Sequence, residues 1–178
     1  MKKIIAFGAS NSKNSINKQL ASYTANQVEG ASVEVLDLND YPLPMYGIDL
    51  EQESGIPENA QVFLNKIKAA DGIVISFAEH NGAYASVFKN LFDWMSRIDG
   101  KLWSEVPMFL MATSPGGRGG QTVLDIAAGR FPYMGGNIVA KFSLPSFGDN
   151  FSESGIAEDE LAATFKSQLK SFDAAVNG

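Results

Sequence analysis

The sequence predicts an α/β fold: a parallel five-stranded sheet with helices on both faces. Two patterns point to it. Short apolar runs of strand length alternate with segments of helical periodicity. The alternation repeats five times, which implies parallel strands joined by crossover helices packed on both sheet faces. The chain has 178 residues, 45% of them hydrophobic, which suits a single domain over residues 1–178 with a sizeable core.

Lys2–Gly8 is the first strand, short and apolar. Ser15 to about Val28 follows as a helix, with Ile16, Leu20 and Tyr23 at helical spacing. Ser32–Leu38 alternates in the manner of a second strand, and Asn39–Ile56, rich in Pro, Tyr and Gly, is read as a long loop. Pro57 opens a helix to about Ala70, since proline suits the first helical turn. Gly72–Phe77 is a β-branched third strand, expected to be buried on both faces. Ala85–Ile98 is a helix whose apolar residues Val87, Phe88, Leu91, Phe92, Trp94, Met95 and Ile98 cover more than one face. That width predicts burial against the sheet and a second surface, such as a partner subunit. Pro107–Thr113 is a fourth strand, Gln121–Arg130 a short helix, Ile138–Leu144 a fifth strand and Glu158–Val176 a final helix. Five strands fit the flavodoxin-like order 2-1-3-4-5 better than a six-stranded dinucleotide-binding sheet.

Composition narrows the function. The net charge is −6 and no basic cluster occurs, which argues against a nucleic-acid surface. With no cysteine and one histidine, thiolate chemistry is excluded and a zinc or di-iron site is not expected. The amino-terminal apolar stretch is too short for a signal peptide, and no run reaches the ~20 apolar residues of a membrane span. A cytoplasmic protein with no membrane partner is expected.

Three loops follow strands and precede helices, at the strand ends where open α/β sheets bind ligands. The first, from Ala9 to Asn17, holds Ser10, Ser12 and Ser15 and three asparagines, beyond what an N-cap at Ser15 requires. Free backbone N–H groups and the helix dipole at such an end hold phosphate, and these hydroxyls with the Asn17 amide add donors. A Gly-Lys-Ser/Thr ending and a Gly-x-Gly-x-x-Gly fingerprint are both missing, so the loop suits a mononucleotide. The second loop is Ala78-Glu79-His80-Asn81-Gly82, and the third Ser114-Pro115-Gly116-Gly117-Arg118-Gly119-Gly120. Glycines in the third let backbone approach a planar ring, or simply make a turn.

Ser10…Ser15-Ile16-Asn17 resembles the Gly-Ser-x-Arg-x-x-Ser-x-Asn loop of the NAD(P)H-dependent FMN reductases. Loop two resembles that family's Pro-Glu-Tyr-Asn-Gly loop, Lys89-Asn90-Leu91-Phe92-Asp93-Trp94 its Lys-Asn-x-x-Asp-Trp helix, and Ser114–Gly120 its glycine-rich loop. The chain departs from the pattern at Ala9 for glycine, Ser12 for arginine, Ala78 for proline and His80 for tyrosine. The Ser12 change removes a cation beside the phosphate.

The resemblance implies an enzyme using FMN, with NAD(P)H as cosubstrate and a small-molecule electron acceptor: a quinone, free flavin, azo compound or oxidised metal ion. It implies that Ser10, Ser12, Ser15, Ile16 and Asn17 hold the FMN phosphate. Ala78, Glu79, His80, Asn81 and Gly82, chiefly through backbone, and Ser114, Pro115, Gly116 and Gly117 would contact the ring. The flavin carries the chemistry, so no catalytic side chain is expected. It also implies a homodimer or homotetramer with the site near the interface. The competing reading is a flavodoxin-like electron carrier or redox-linked regulatory protein with little turnover. Several roles stay open: His80 as acid–base group or packing residue, Glu79 as solvated charge or interface contact, and Arg118 as cosubstrate anchor or idle surface charge. Tyr41–Tyr46 either overhangs the flavin or seals the sheet edge.

Overall fold

A computed structural model describes all residues from Met1 to Gly178. Five parallel strands form the sheet: β1 (Lys2–Ala9), β2 (Ala31–Leu36), β3 (Gly72–Phe77), β4 (Pro107–Thr113) and β5 (Asn137–Leu144). Their spatial order is β2-β1-β3-β4-β5, as predicted. The register pairs Gly8 with Ser76 and Phe77 with Ala112, so β1, β3 and β4 end together. All six residues of the central β3 are buried, as its β-branched run requires.

The longer helices are α1 (Ile16–Ala25), α2 (Ile48–Ser54), α3 (Glu58–Lys68), α4 (Ser86–Ile98), α5 (Gln121–Arg130) and α6 (Asp159–Asn177), and a single helical turn spans Phe147–Asn150. Alternate residues of the strands feed two cores. Ile5, Phe7, Ile73, Ile75, Met108 and Leu110 pack against α3, α4 and α5 through Phe63, Phe88, Met95 and Val123. Ile4, Ala6, Val74, Phe109 and Met111 pack against α1 and α6 through Leu20, Ala21, Phe165 and Phe172. The strand period of two thus delivers one set of side chains to each helical layer.

Several boundaries differ from the sequence reading. Ser15, Pro57, Ala85 and Glu158 are N-caps, and α1 stops at Ala25 rather than Val28. Asn39–Ile56 is not simply a loop: a 3₁₀ turn spans Leu38–Asp40 and α2 lies inside it. Two small hairpins, Glu79–His80 with Ala83–Tyr84 and Phe151–Ser152 with Gly155–Ile156, were not anticipated.

The broad apolar face of α4 is covered within the chain. Phe88, Leu91, Phe92, Trp94 and Met95 are all buried. The second surface is the 41–46 segment: Trp94 Nε1 donates to Pro44 O at 2.8 Å, and the Tyr46 ring meets the indole edge-on at 5.0 Å. Asn90 adds two bonds, donating to Pro44 O (3.0 Å) and accepting from Tyr46 N (2.8 Å). No partner subunit is needed to explain that width.

Candidate functional site

Loop one rises from β1 into α1. Gly8 permits the close approach of the two: a Cβ there would lie 2.4 Å from the Lys18 backbone nitrogen. Ser15 caps α1, its Oγ accepting from Lys18 N at 3.0 Å, and Ser10 Oγ accepts from Ser12 N at 3.1 Å. The N–H groups of Ile16 and Asn17, first and second in α1, have no partner within the chain. They and the positive end of the α1 dipole form an anion-binding corner.

Asn17 does something the sequence did not disclose. Its side chain is buried, its Oδ1 accepting from Thr113 N (3.1 Å) and Ser76 Oγ (2.7 Å), its Nδ2 donating to Thr113 O (3.2 Å). The carboxamide therefore ties α1 to the ends of β3 and β4. The carboxamide oxygen and one amide N–H are committed to this tie, while Asn17 still lines the cleft and its backbone N–H is unpartnered.

Loop two is a hairpin whose tip, Asn81-Gly82, has φ of 53° and 74°. Positive φ at both central residues is the type I′ signature, and an Asn-Gly pair is its strongest sequence signal. Tyr84 anchors one leg among Phe77, Phe88 and Phe92, and burial pushes its hydroxyl up to about 12, so it stays neutral. In the other leg, Glu79 Oε2 accepts from Val123 N at 3.0 Å, in the first turn of α5. The half-buried Glu79 carboxylate thus serves as a long-range helix cap.

Loop three splits in function. Gly119 and Gly120 have φ of +58° and +70°, and a Cβ on either would strike Ser143 or Ala112, so they are required by packing. Gly116 and Gly117 face open space, and the loop is pinned by Ser146 N to Gly116 O and Phe147 N to Ser114 O, both 3.0 Å. Arg118 bonds Thr122 Oγ1 at 2.9 Å on the surface.

The three loops border one cleft of about 350 Å³. Ser10, Ser12, Ser15, Ile16, Asn17, Ala78, Glu79, His80, Ser114 and Pro115 line it, joined by Asn11, Asn14 and Thr113. Asn81, Gly82, Gly116 and Gly117 are outside its wall. Glu79 is the one formally charged residue in the lining, and no lysine or arginine is there. Lys13, next to the residue standing for the absent arginine, lines a neighbouring cleft instead, and Lys18 is held by Asp37 at 2.5 Å. That neighbouring cleft, about 530 Å³ across α1, is larger, but loops two and three do not reach it. The smaller cleft, where the strand ends converge, is the chemically organised one. It can take an anion through neutral donors at α1 and a flat group toward loops two and three.

A family model described as NADPH-dependent FMN reductase matches residues 2–149. A quinone reductase of Escherichia coli K12 is 33% identical over 109 residues, covering 61% of this chain and 57% of that protein. An NADPH azoreductase of Bacillus sp. strain OY1-2 is 29% identical over 123 residues, covering 69% and 65%. The chain thus spans somewhat under two thirds of these relatives. Among solved structures, the flavoenzyme NAD(P)H:(acceptor) oxidoreductase of Paracoccus denitrificans superposes with a TM-score of 0.78 at 22% identity, over 99% of this chain and 98% of that one. No helix is long and apolar enough to cross a membrane.

Proposed function

Because this chain belongs to the NADPH-dependent FMN reductase family, we propose that its three-loop cleft binds FMN and that it passes electrons from NAD(P)H to a quinone, azo or flavin acceptor. One observation carries the reading: Ile16 and Asn17, whose backbone N–H groups are unpartnered, line the same cleft as loops two and three. The residues present fit the cofactor. The α1 amides, with the Ser10 and Ser12 hydroxyls, hold its phosphate, and Ser15 keeps the helix start in place. The backbones of Ala78–His80 and of Ser114 and Pro115, which line the cleft, border the ring, His80 beside it as a packing and hydrogen-bonding group. FMN, when bound, supplies the hydride and electron chemistry. The chain contributes binding, orientation and a polar wall without a cation.

Turnover separates this reading from an electron carrier. Protein loaded with FMN and mixed with NADPH or NADH and a benzoquinone should oxidise the nicotinamide steadily, with ping-pong kinetics. A single reduction of the bound flavin without continued turnover would sink the reductase reading in favour of the carrier.

A further inference from the structure

The two walls at the ring end of the cleft belong to different segments. Ala78, Glu79 and His80 form one; Ser114 and Pro115, leading into α5, form the other. A hairpin with two residues per leg is too short to hold itself in place. Its Tyr84 leg is fixed by aromatic packing, but the leg that lines the cleft is Ala78–His80.

What fixes that leg is the Glu79 carboxylate. The α5 N-cap is Gly120, which has no side chain to offer, and the first turn of α5 contains no acidic residue. Glu79, 44 residues upstream of Val123, supplies both the missing acceptor and the negative charge that a helix amino end favours. The hairpin tip also lies against this turn: a Cβ on Gly82 would come within 3.8 Å of Thr122 Cγ2. Thus one side chain couples loop two to the helix that ends loop three.

We propose that Glu79 is a positioning residue for FMN: its bond to Val123 N holds loop two and α5 at the separation the flavin ring needs. The inference rests on the FMN reading above. It gives the Glu79 side chain an indirect role, exerted through α5, alongside the backbone of loop two that borders the ring.

Wild type, Glu79→Ala and Glu79→Gln are titrated with FMN by quenching of flavin fluorescence, and the visible circular dichroism of the bound flavin is recorded. Hydrogen exchange at the Val123 amide is followed without cofactor. The alanine variant is expected to bind FMN on the order of tenfold more weakly, as for loss of one hydrogen bond to a charged group. Its flavin dichroism changes and Val123 exchanges faster. The glutamine variant keeps an acceptor oxygen and is expected to stay within about threefold of wild type. Faster exchange at Val123 in Glu79→Ala with unchanged FMN affinity and dichroism overturns the proposal, because the cap would then stabilise α5 without shaping the site. Equal loss in both variants also overturns it, since charge rather than the held geometry would be responsible. Wild-type protein that takes up no FMN refutes the cofactor reading itself.

Discussion

At the scale of single residues, the site is organised by side chains that the ligand need not touch. Asn17 satisfies Thr113 N, Thr113 O and Ser76 Oγ, partners 96 and 59 residues away. Replacing it with alanine strands those buried groups, each at a cost of about 1–3 kcal/mol before relaxation. Urea denaturation of Asn17→Ala should show a stability loss of roughly 2 kcal/mol or more; an unchanged midpoint would show that the carboxamide does not join the strands. Its hydroxyl- and amide-rich surroundings marked loop one as a binding segment, but sequence spacing carries no trace of contacts this distant. Glu79 is the same case: its acceptor role depends on Val123, which only the fold brings near. The Asn81-Gly82 hairpin is also missing from the sequence reading, although its turn signal is local, because the segment reads there only as a strand-to-helix loop.

At the scale of elements, those formed by apolar periodicity were legible and those formed by polar anchoring were not. Gly72–Phe77 and Pro107–Thr113 appear with the predicted bounds, since buried strands need continuous apolar runs. Helix α2 buries no residue and its N-cap, Gly47, has no side chain, so neither periodicity nor a cap advertises it. It is held from outside, by Tyr46 Oη to Glu51 (3.0 Å) and Arg97 Nε to Glu51 (2.9 Å). The Lys-Asn-x-x-Asp-Trp helix gains a physical role here, since Asn90 and Trp94 grip the segment before α2 while Lys89 and Asp93 pair on the surface at 2.7 Å. Asn90→Ala removes both bonds between this side chain and that segment. Hydrogen exchange should quicken at Tyr46 and its neighbours while the β3 and β4 amides keep their protection. Uniform loosening of the whole chain would contradict a local clasp.

At the scale of the whole molecule, the architecture followed from alternation and strand count. The site's electrostatics did not, because which lysine faces which cleft is a tertiary fact. The periphery carries several paired carboxylates. Lys3 and Lys66 hold Glu34 below its ordinary range, Lys18 does so for Asp37, Arg97 for Glu51, the Lys3 backbone N–H for Asp71 and Lys68 for Asp99. A carboxyl whose folded pKa is depressed adds stability that is present above its ordinary value and lost as pH falls through the folded one. Thermal midpoints should therefore hold from neutrality to about pH 5 and fall below about pH 4. A maximum at pH 3 would contradict this. Salt should weaken the effect, since these pairs are partly exposed. In the proposed function, neutral donors at the start of α1 hold a phosphate in the cleft where loops two and three meet. Parallel titrations with FMN and riboflavin, which differ only by that phosphate, test it most directly. FMN should be taken up saturably and one-to-one, and riboflavin should bind more weakly by a factor on the order of 100, the worth of about two hydrogen bonds to a charged group. Equal affinities, or no uptake of either flavin, would contradict it.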